Sequence, residues 1–187
     1  YGIKDIILCD KNGILNINHP ETMLNTKHRD LATKTNPQKL SGDLKQALAG
    51  ANVFIGVSRA GLLKPEIIAD MAAEPMVFAM ANPQPEIFPE EAKTAGASIV
   101  GTGRSDYPNQ INNALVFPGM FKGALAVRAT DINETMKMAA ATALAGCVPK
   151  DELSAENILP TVLNRKLADI IAKAVSQAAR ESGVAKK

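Results

Sequence analysis

Short continuous apolar runs and stretches of helical periodicity alternate through the first two thirds of the chain. Ile6-Ile-Leu-Cys9 closes on the turn cluster Asp10-Lys-Asn-Gly13. Asn52-Val-Phe-Ile-Gly56 follows Gly50, Met76-Val-Phe-Ala-Met80 follows Pro75 and ends at Asn82-Pro83, and Ser98-Ile-Val100 runs into Gly101. Uninterrupted apolar runs of this length predict strands buried on both faces, as in a parallel sheet. Helices are predicted between them: Leu44 to Leu48, stopped by Gly50; Pro65 to Ala73, with Glu66 in the first turn; and Pro89 to Thr94, with Glu90 and Glu91 there. Proline is tolerated in a first helical turn, and acidic residues there complement the dipole. The segment from Asn16 to Pro37 is irregular, with room for one short helix.

From Pro118 the strands stop. Helices are expected from Phe121 to Ala129 and from Ile132-Asn-Glu134 to a stop near Gly146. Leu167, Ile170, Ile171, Ala174, Val175 and Ala178 recur at the spacing of one apolar helical stripe. The pattern predicts an α/β fold with a doubly wound, mostly parallel sheet. It divides into a sheet core over residues 1–117 and a helical part over 118–187.

Composition narrows the function classes. A chain of 187 residues fits one domain, and 46% hydrophobic content supports a folded core, an aliphatic one because Trp is absent. A formal charge of +2, with scattered basic residues, gives no footprint for nucleic acid. No apolar run is long enough to span a bilayer. Cys9 and Cys147 sit singly in apolar stretches and are expected to be buried free thiols, which fits a reducing, cytoplasmic setting. His19 and His28 have no partner at metal-ligand spacing.

Ligands of an open parallel sheet bind beyond the carboxyl ends of its strands. Four loops are therefore candidates. Asp10 can accept from the hydroxyls of an adenine ribose, or can simply form the turn before Gly13; locally the two readings are even. Gly56-Val-Ser-Arg-Ala-Gly61 lets backbone approach a ligand, and Ser58 can donate to a phosphate or ribose. In Asn82-Pro-Gln-Pro-Glu86 an amide that both donates and accepts is flanked by stiffening prolines; an Asn-Pro turn is the alternative. Gly101–Gly119 puts Thr102, Arg104, Asp106, Asn109, Asn112 and Asn113 immediately after a buried strand. Arg104 and Asp106 read as a local ion pair. Spacing alone yields no catalytic set and no carboxylate cluster suited to a metal.

Together, Leu8-Cys-Asp-Lys-Asn-Gly13, Asn52-Val-Phe-Ile-Gly-Val-Ser58, Phe78-Ala-Met-Ala-Asn-Pro-Gln-Pro-Glu86 and Gly101–Gly119 resemble the NAD-binding domain of bacterial-type malic enzymes. Ile132-Asn-Glu-Thr-Met-Lys137 and Ile158-Leu-Pro160 extend the resemblance over nearly the whole chain. It implies a Rossmann-like fold and oxidative decarboxylation of malate to pyruvate and carbon dioxide, with NAD or NADP as hydride acceptor and Mg or Mn as metal. By the same resemblance Asp10 sits on the adenosine ribose, Val57 and Ser58 line the cofactor, and Asn112 faces the nicotinamide. Asn82 and Asn113 hold malate.

The family's glycine-rich turn, catalytic Tyr and Lys, and acidic metal ligands lie ahead of its equivalent of Asp10. The expectation is an incomplete dinucleotide-binding domain over 1–187, lacking the first strand of its sheet and inactive without the rest of the same enzyme, in a homodimer. Asp10 would repel a 2′-phosphate, which favours NAD; Lys27, His28 and Arg29 could receive one if their segment folds back. Two rivals are a stand-alone nucleotide-binding or regulatory module, and a two-domain dehydrogenase acting on an amino acid or a folate.

Overall fold

The computed structural model describes residues 2–18, 20 and 26–186. The chain first makes a small antiparallel hairpin of β1 (Cys9–Asp10) and β2 (Gly13–Ile14), followed by helix α1 (Thr26–Lys34). His19, one of the two histidines read above as lacking metal-ligand spacing, lies outside the described residues. The alternating region follows: α2 (Leu44–Leu48), β3 (Val53–Gly56), α3 (Pro65–Ala69), β4 (Met76–Ala79), α4 (Pro89–Thr94) and β5 (Ile99–Thr102). A single 3-10 turn, Asn113–Leu115, leads into α5 (Phe117–Ala126), α6 (Glu134–Ala145) and α7 (Leu167–Glu181).

Strands β3, β4 and β5 form a wholly parallel sheet in sequential order, with Val53, Met76 and Ile99 abreast at one end and Gly56, Ala79 and Thr102 at the other. Consecutive right-handed crossovers that step in one direction place their helices on one face. Accordingly Phe54, Val77, Ala79 and Val100 pack with Leu48, Ile67, Ile68 and Ala92 in one buried core. On the opposite face Val53 and Ile55 are exposed. The free edge of β3 has no hydrogen-bonded neighbour among the described residues.

Ile6–Cys9 departs from expectation. It joins no parallel sheet; only Cys9 is in a strand, and that strand is in the hairpin. Upstream, Ile6 and Leu8 make isolated bonds, their carbonyls accepting from Asn36 and Leu15 N–H. An apolar run confers strand propensity, but a strand needs an adjacent backbone to pair with. Helix boundaries shift for local reasons. Helix α3 ends at Ala69 rather than Ala73, because Asp70 carbonyl and Ala72 N–H are drawn to Gly50 and Ala51. Helix α5 starts at Phe117 rather than Phe121, with Pro118 in its first turn, where a missing N–H costs nothing.

Two buried amides, near the two ends of the irregular Asn16–Pro37 stretch, tie described residues to the 39–41 segment. Asn16 Nδ2 donates to the carbonyls of Lys39 and Leu40 and to Ser41 Oγ; Asn36 Nδ2 donates to Leu15 and Leu40. A second core holds the C-terminal helices together. Met120 and Ala124 of α5, Met136 and Ala140 of α6, and Ile171, Val175 and Ala178 of α7 are all buried in it. No described helix is long and apolar enough to cross a membrane.

Candidate functional site

The carboxyl ends of β3, β4 and β5 stop in register, so the chain leaves the sheet on one edge three times: Val57-Ser58, Met80-Ala81-Asn82 and Gly103-Arg104. The chain comes back to this edge once more. Gln110 bridges Thr102 in parallel, and Ile111 N–H donates to Thr102 carbonyl at 2.7 Å, which places Asn112 and Asn113 beside the same strand end. Five of the six residues picked out by sequence, Val57, Ser58, Asn82, Asn112 and Asn113, thus share one edge.

The loops touch there. A Cβ on Gly103 would lie 3.2 Å from Asn82 Nδ2, so the Asn82 amide rests against a backbone that only glycine leaves this open. Arg104 pairs with Asp106 through Nε at 2.9 Å and Nη2 at 2.6 Å, and stacks over Tyr107 at 5.7 Å. This is the loop brace expected of the pair, and it holds Arg104 firmly charged and the Asp106 carboxyl below its ordinary range through their shared hydrogen bond. Arg104 Nη1 also reaches Pro83 carbonyl at 3.5 Å, a long contact that joins the β4 and β5 loops.

Asn112 caps the 3-10 turn: its Oδ1 accepts from Ala114 N–H at 2.9 Å. The oxygen is committed to the fold, and the NH2 group is the part that can turn to a ligand. Asn113, the next residue, is exposed. Asn82 and Ser58 are exposed as well, and Val57 is 78% exposed. A peptide bond in the cis form joins Asn82 to Pro83.

Asp10 stands apart from this edge, at the tip of the hairpin. Its Oδ1 accepts from Asn12 N–H at 2.7 Å, so the turn-forming role is real. Its Oδ2 lies 3.5 Å from His28 Nδ1. Helix α1 therefore does fold back, far enough to set His28 beside Asp10. Cys9 also differs from expectation, being exposed on the hairpin rather than buried in a core. Neighbouring groups still withdraw its sulfur from water, and with Asp10 and Asp43 nearby they push the thiol up to about 11. Cys147 is half-buried and free, as expected.

Two residues named above only as parts of candidate loops organise the site in ways that escape sequence reasoning. Glu86 is fully buried, its carboxylate bonded to the N–H of Ser58 and of Ala81. A hint lay in its position between a proline-rich loop and the apolar Ile87-Phe88, where a charge has few reasons to be. Asn109, in a left-handed conformation, donates to Val100 and Ala155 carbonyls and accepts from Ile158 N–H. That amide docks the 154–158 segment onto the sheet, and no local pattern announces a contact so distant in sequence. The shallow cleft between α3 and α4, lined by Glu66, Glu90 and Glu91, contains none of the candidate residues.

Comparison with known proteins identifies the family. Residues 2–180 match the family model described as malic enzyme, NAD binding domain. A bifunctional malic/malolactic enzyme of Bacillus subtilis (strain 168) is 52% identical over 186 residues, covering 100% of this chain and 45% of the relative. An NADP-dependent malic enzyme of Rhizobium meliloti (strain 1021) is 44% identical over 202 residues, covering 100% of this chain and 26% of the relative. The crystal structure of an NAD-dependent malic enzyme from Thermotoga maritima superposes with a TM-score of 0.88 at 49% identity, over 94% of this chain and 45% of that one. The chain spans less than half the length of each of these relatives. With the family model matched across almost its full length, the chain belongs to the malic enzyme family and corresponds to its NAD-binding domain.

Proposed function

We propose that this chain is the cofactor-binding portion of an oxidoreductase that oxidatively decarboxylates malate to pyruvate and carbon dioxide with NAD or NADP. The observation that carries the reading is the convergence of three in-register strand ends and the Gln110–Asn113 return on one sheet edge. That edge is where an open parallel sheet binds its ligand. It offers backbone, the Ser58 hydroxyl and the amides of Asn82, Asn112 and Asn113, with Arg104 held in its pair with Asp106, which suits a dinucleotide and a small dicarboxylate.

The residues divide the task by chemistry. Val57 and Ser58 line the cofactor, with Ser58 Oγ able to donate to a phosphate or ribose oxygen. Asn112 offers its NH2 group toward the nicotinamide side. Asn82 and Asn113 orient malate, since an amide can hold a carboxylate or a hydroxyl without adding charge. Orientation is most of what hydride transfer asks of a protein, and the nicotinamide supplies the acceptor. Asp10 takes the ribose hydroxyls in exchange for its present turn and His28 contacts. Its carboxylate disfavours a 2′-phosphate, while Lys27, His28 and Arg29 on α1 favour one. Comparing KM for the two cofactors decides between them.

Mg or Mn belongs to the proposed reaction by resemblance. Among the described residues no three His, Cys, Asp or Glu side chains cluster as a metal site needs, so no step is assigned to a metal on this chain. The acid–base and metal chemistry is ascribed to the remainder of the same enzyme, a cytoplasmic homodimer.

The test is Asn113→Ala and Asn82→Ala in the full-length protein. The expected outcome is a malate-specific rise in KM or fall in kcat of about 10-fold or more, with cofactor affinity held within about twofold. Unchanged malate kinetics in both variants would refute the assignment.

A further inference from the structure

The β3–β4 ladder ends at Gly56 and Ala79, with one further bond from Met80 N–H to Gly56 carbonyl. Beyond it the two loops that carry Ser58 and Asn82 diverge, and no ladder holds them. Their link is Glu86. One carboxylate oxygen, Oε1, accepts from Ser58 N–H at 2.8 Å, and the other, Oε2, accepts from Ala81 N–H at 3.0 Å. The side chain is fully buried. Burying a carboxylate is unfavourable unless its oxygens are satisfied, and here each is met by a backbone dipole from a different loop.

Two further observations show that the arrangement is built around this group. A Cβ on Gly56 would lie 2.6 Å from Glu86 Cδ and 2.7 Å from Oε1, so glycine at the end of β3 makes the space the carboxylate occupies. The backbone of the same segment is tied as well: Leu63 N–H donates to Glu86 carbonyl and Gly61 N–H to Pro85 carbonyl. The whole Val57–Leu63 loop is thereby referenced to Pro85-Glu86.

We infer that Glu86 is a positioning residue that sets the spacing between the cofactor loop at Ser58 and the substrate loop at Asn82. The inference rests on reading those loops as walls of the dinucleotide and malate site. Ser58 is held directly by the clamp, and Asn82 is the next residue after the clamped Ala81. A ligand spanning the two loops meets them at a separation fixed by the width of one carboxylate.

The experiment uses the full-length protein with Glu86→Gln and Glu86→Asp. The first keeps the shape but turns one acceptor into an NH2 group facing an N–H. The second keeps the charge, so it tolerates the same environment, but is one methylene too short to serve both loops. Three readouts are taken: amide hydrogen exchange at Ser58 and Ala81, NADH affinity by fluorescence, and steady-state kinetics with malate. In both variants, faster exchange at one or both amides is expected, with slower turnover and kcat/KM for malate lower by about 10- to 100-fold, the scale of a small misplacement of reacting groups. Exchange in the α5–α7 core, and the melting profile there, should stay as in the parent.

Glu86→Asp with parental exchange at both amides and parental kcat/KM overturns the proposal. So does a kinetic loss that only tracks global destabilisation, with exchange raised equally everywhere. The malate reading fails differently, as absent malate-dependent turnover in the parent protein, and in that case exchange at Ser58 and Ala81 in Glu86→Asp still decides the clamp.

Discussion

Gly123→Ala, in the middle of α5, sets two physical effects against each other. Replacing glycine by alanine in a helix interior is intrinsically favourable by about 1 kcal/mol. Here, though, Gly119 and Gly123 lie one turn apart on the face that meets α7. A Cβ on Gly123 would stand 2.6 Å from Ala172 carbonyl oxygen, 2.8 Å from Val175 Cβ and 3.0 Å from Ala172 Cα. Two of those three atoms are backbone and the third is a branched, fully buried carbon, so none can swing aside. The helices must separate by roughly an ångström. Such overpacking costs about 1–3 kcal/mol, and separation also stretches the Ser176 Oγ–Gly123 carbonyl bond, 2.9 Å long and worth about 1 kcal/mol. The clash outweighs the propensity gain, leaving a net destabilisation of about 1–3 kcal/mol. That corresponds to a fall in Tm of about 2–12 °C for a domain of this size.

The assay is thermal and urea unfolding of the full-length protein, with two companions. Gly146→Ala is the control of opposite sign. Gly146 caps α6 at φ −73°, and its nearest atoms, Thr142 and Ala143 carbonyl oxygens, stand at 3.5 and 3.7 Å. Alanine fits there without strain and should stabilise by about 0.4–1 kcal/mol. Gly123→Ala combined with Val175→Gly should be less destabilising than the sum of the two, because the second change removes the clashing Cβ. A Gly123→Ala protein that melts at or above the parent, or a double mutant that is simply additive, would show that α5 and α7 do not meet as closely as described.

Other predictions follow the same reasoning. Asn109→Ala strands two carbonyls and one N–H that its amide now satisfies at 2.7–3.0 Å, so a loss of about 2–4 kcal/mol is expected; limited proteolysis should then cut first near 154–158, and an unchanged cleavage pattern and urea midpoint would count against the docking role. Cys9, with its thiol pushed up to about 11, should stay neutral and slow to alkylate near pH 8, the rate climbing as pH approaches 11; rapid labelling at neutral pH would contradict the desolvated sulfur.

Several elements needed only local physics. Asp43 and Gln46 form a reciprocal cap, side chain to backbone in both directions at 3.0 and 2.7 Å, which fixes the start of α2. The apolar runs at Val53, Met76 and Ile99 became strands because each has chain neighbours of the same kind to pair with. Most of the stripe from Leu167 to Ala178 became the packing face of α7, with Leu167, Ile171, Val175 and Ala178 buried, while Ile170 is exposed. Ile6–Cys9 carries the same apolar signature but makes only scattered bonds, because propensity does not supply a partner strand.

The candidate loops were legible in sequence because each directly follows a buried run, where a parallel sheet puts its ligands. The candidate residues could be named as polar groups in those loops, while their roles came from the family resemblance and not from any local pattern. Their mutual arrangement was not legible. Nothing local says that Glu86, 28 positions beyond Ser58, holds that loop by its amide, or that Asn109 reaches Ala155 across 46 positions. Nor does sequence reveal that α1 folds back to set His28 beside Asp10. Periodicity and turn chemistry act over a few residues, so sequence alone determined most of the strands, helices and strand-end loops, with Ile6–Cys9 the exception. Contacts between distant segments depend on how those elements pack, so only the tertiary structure decided which loops are clamped together and by which buried group.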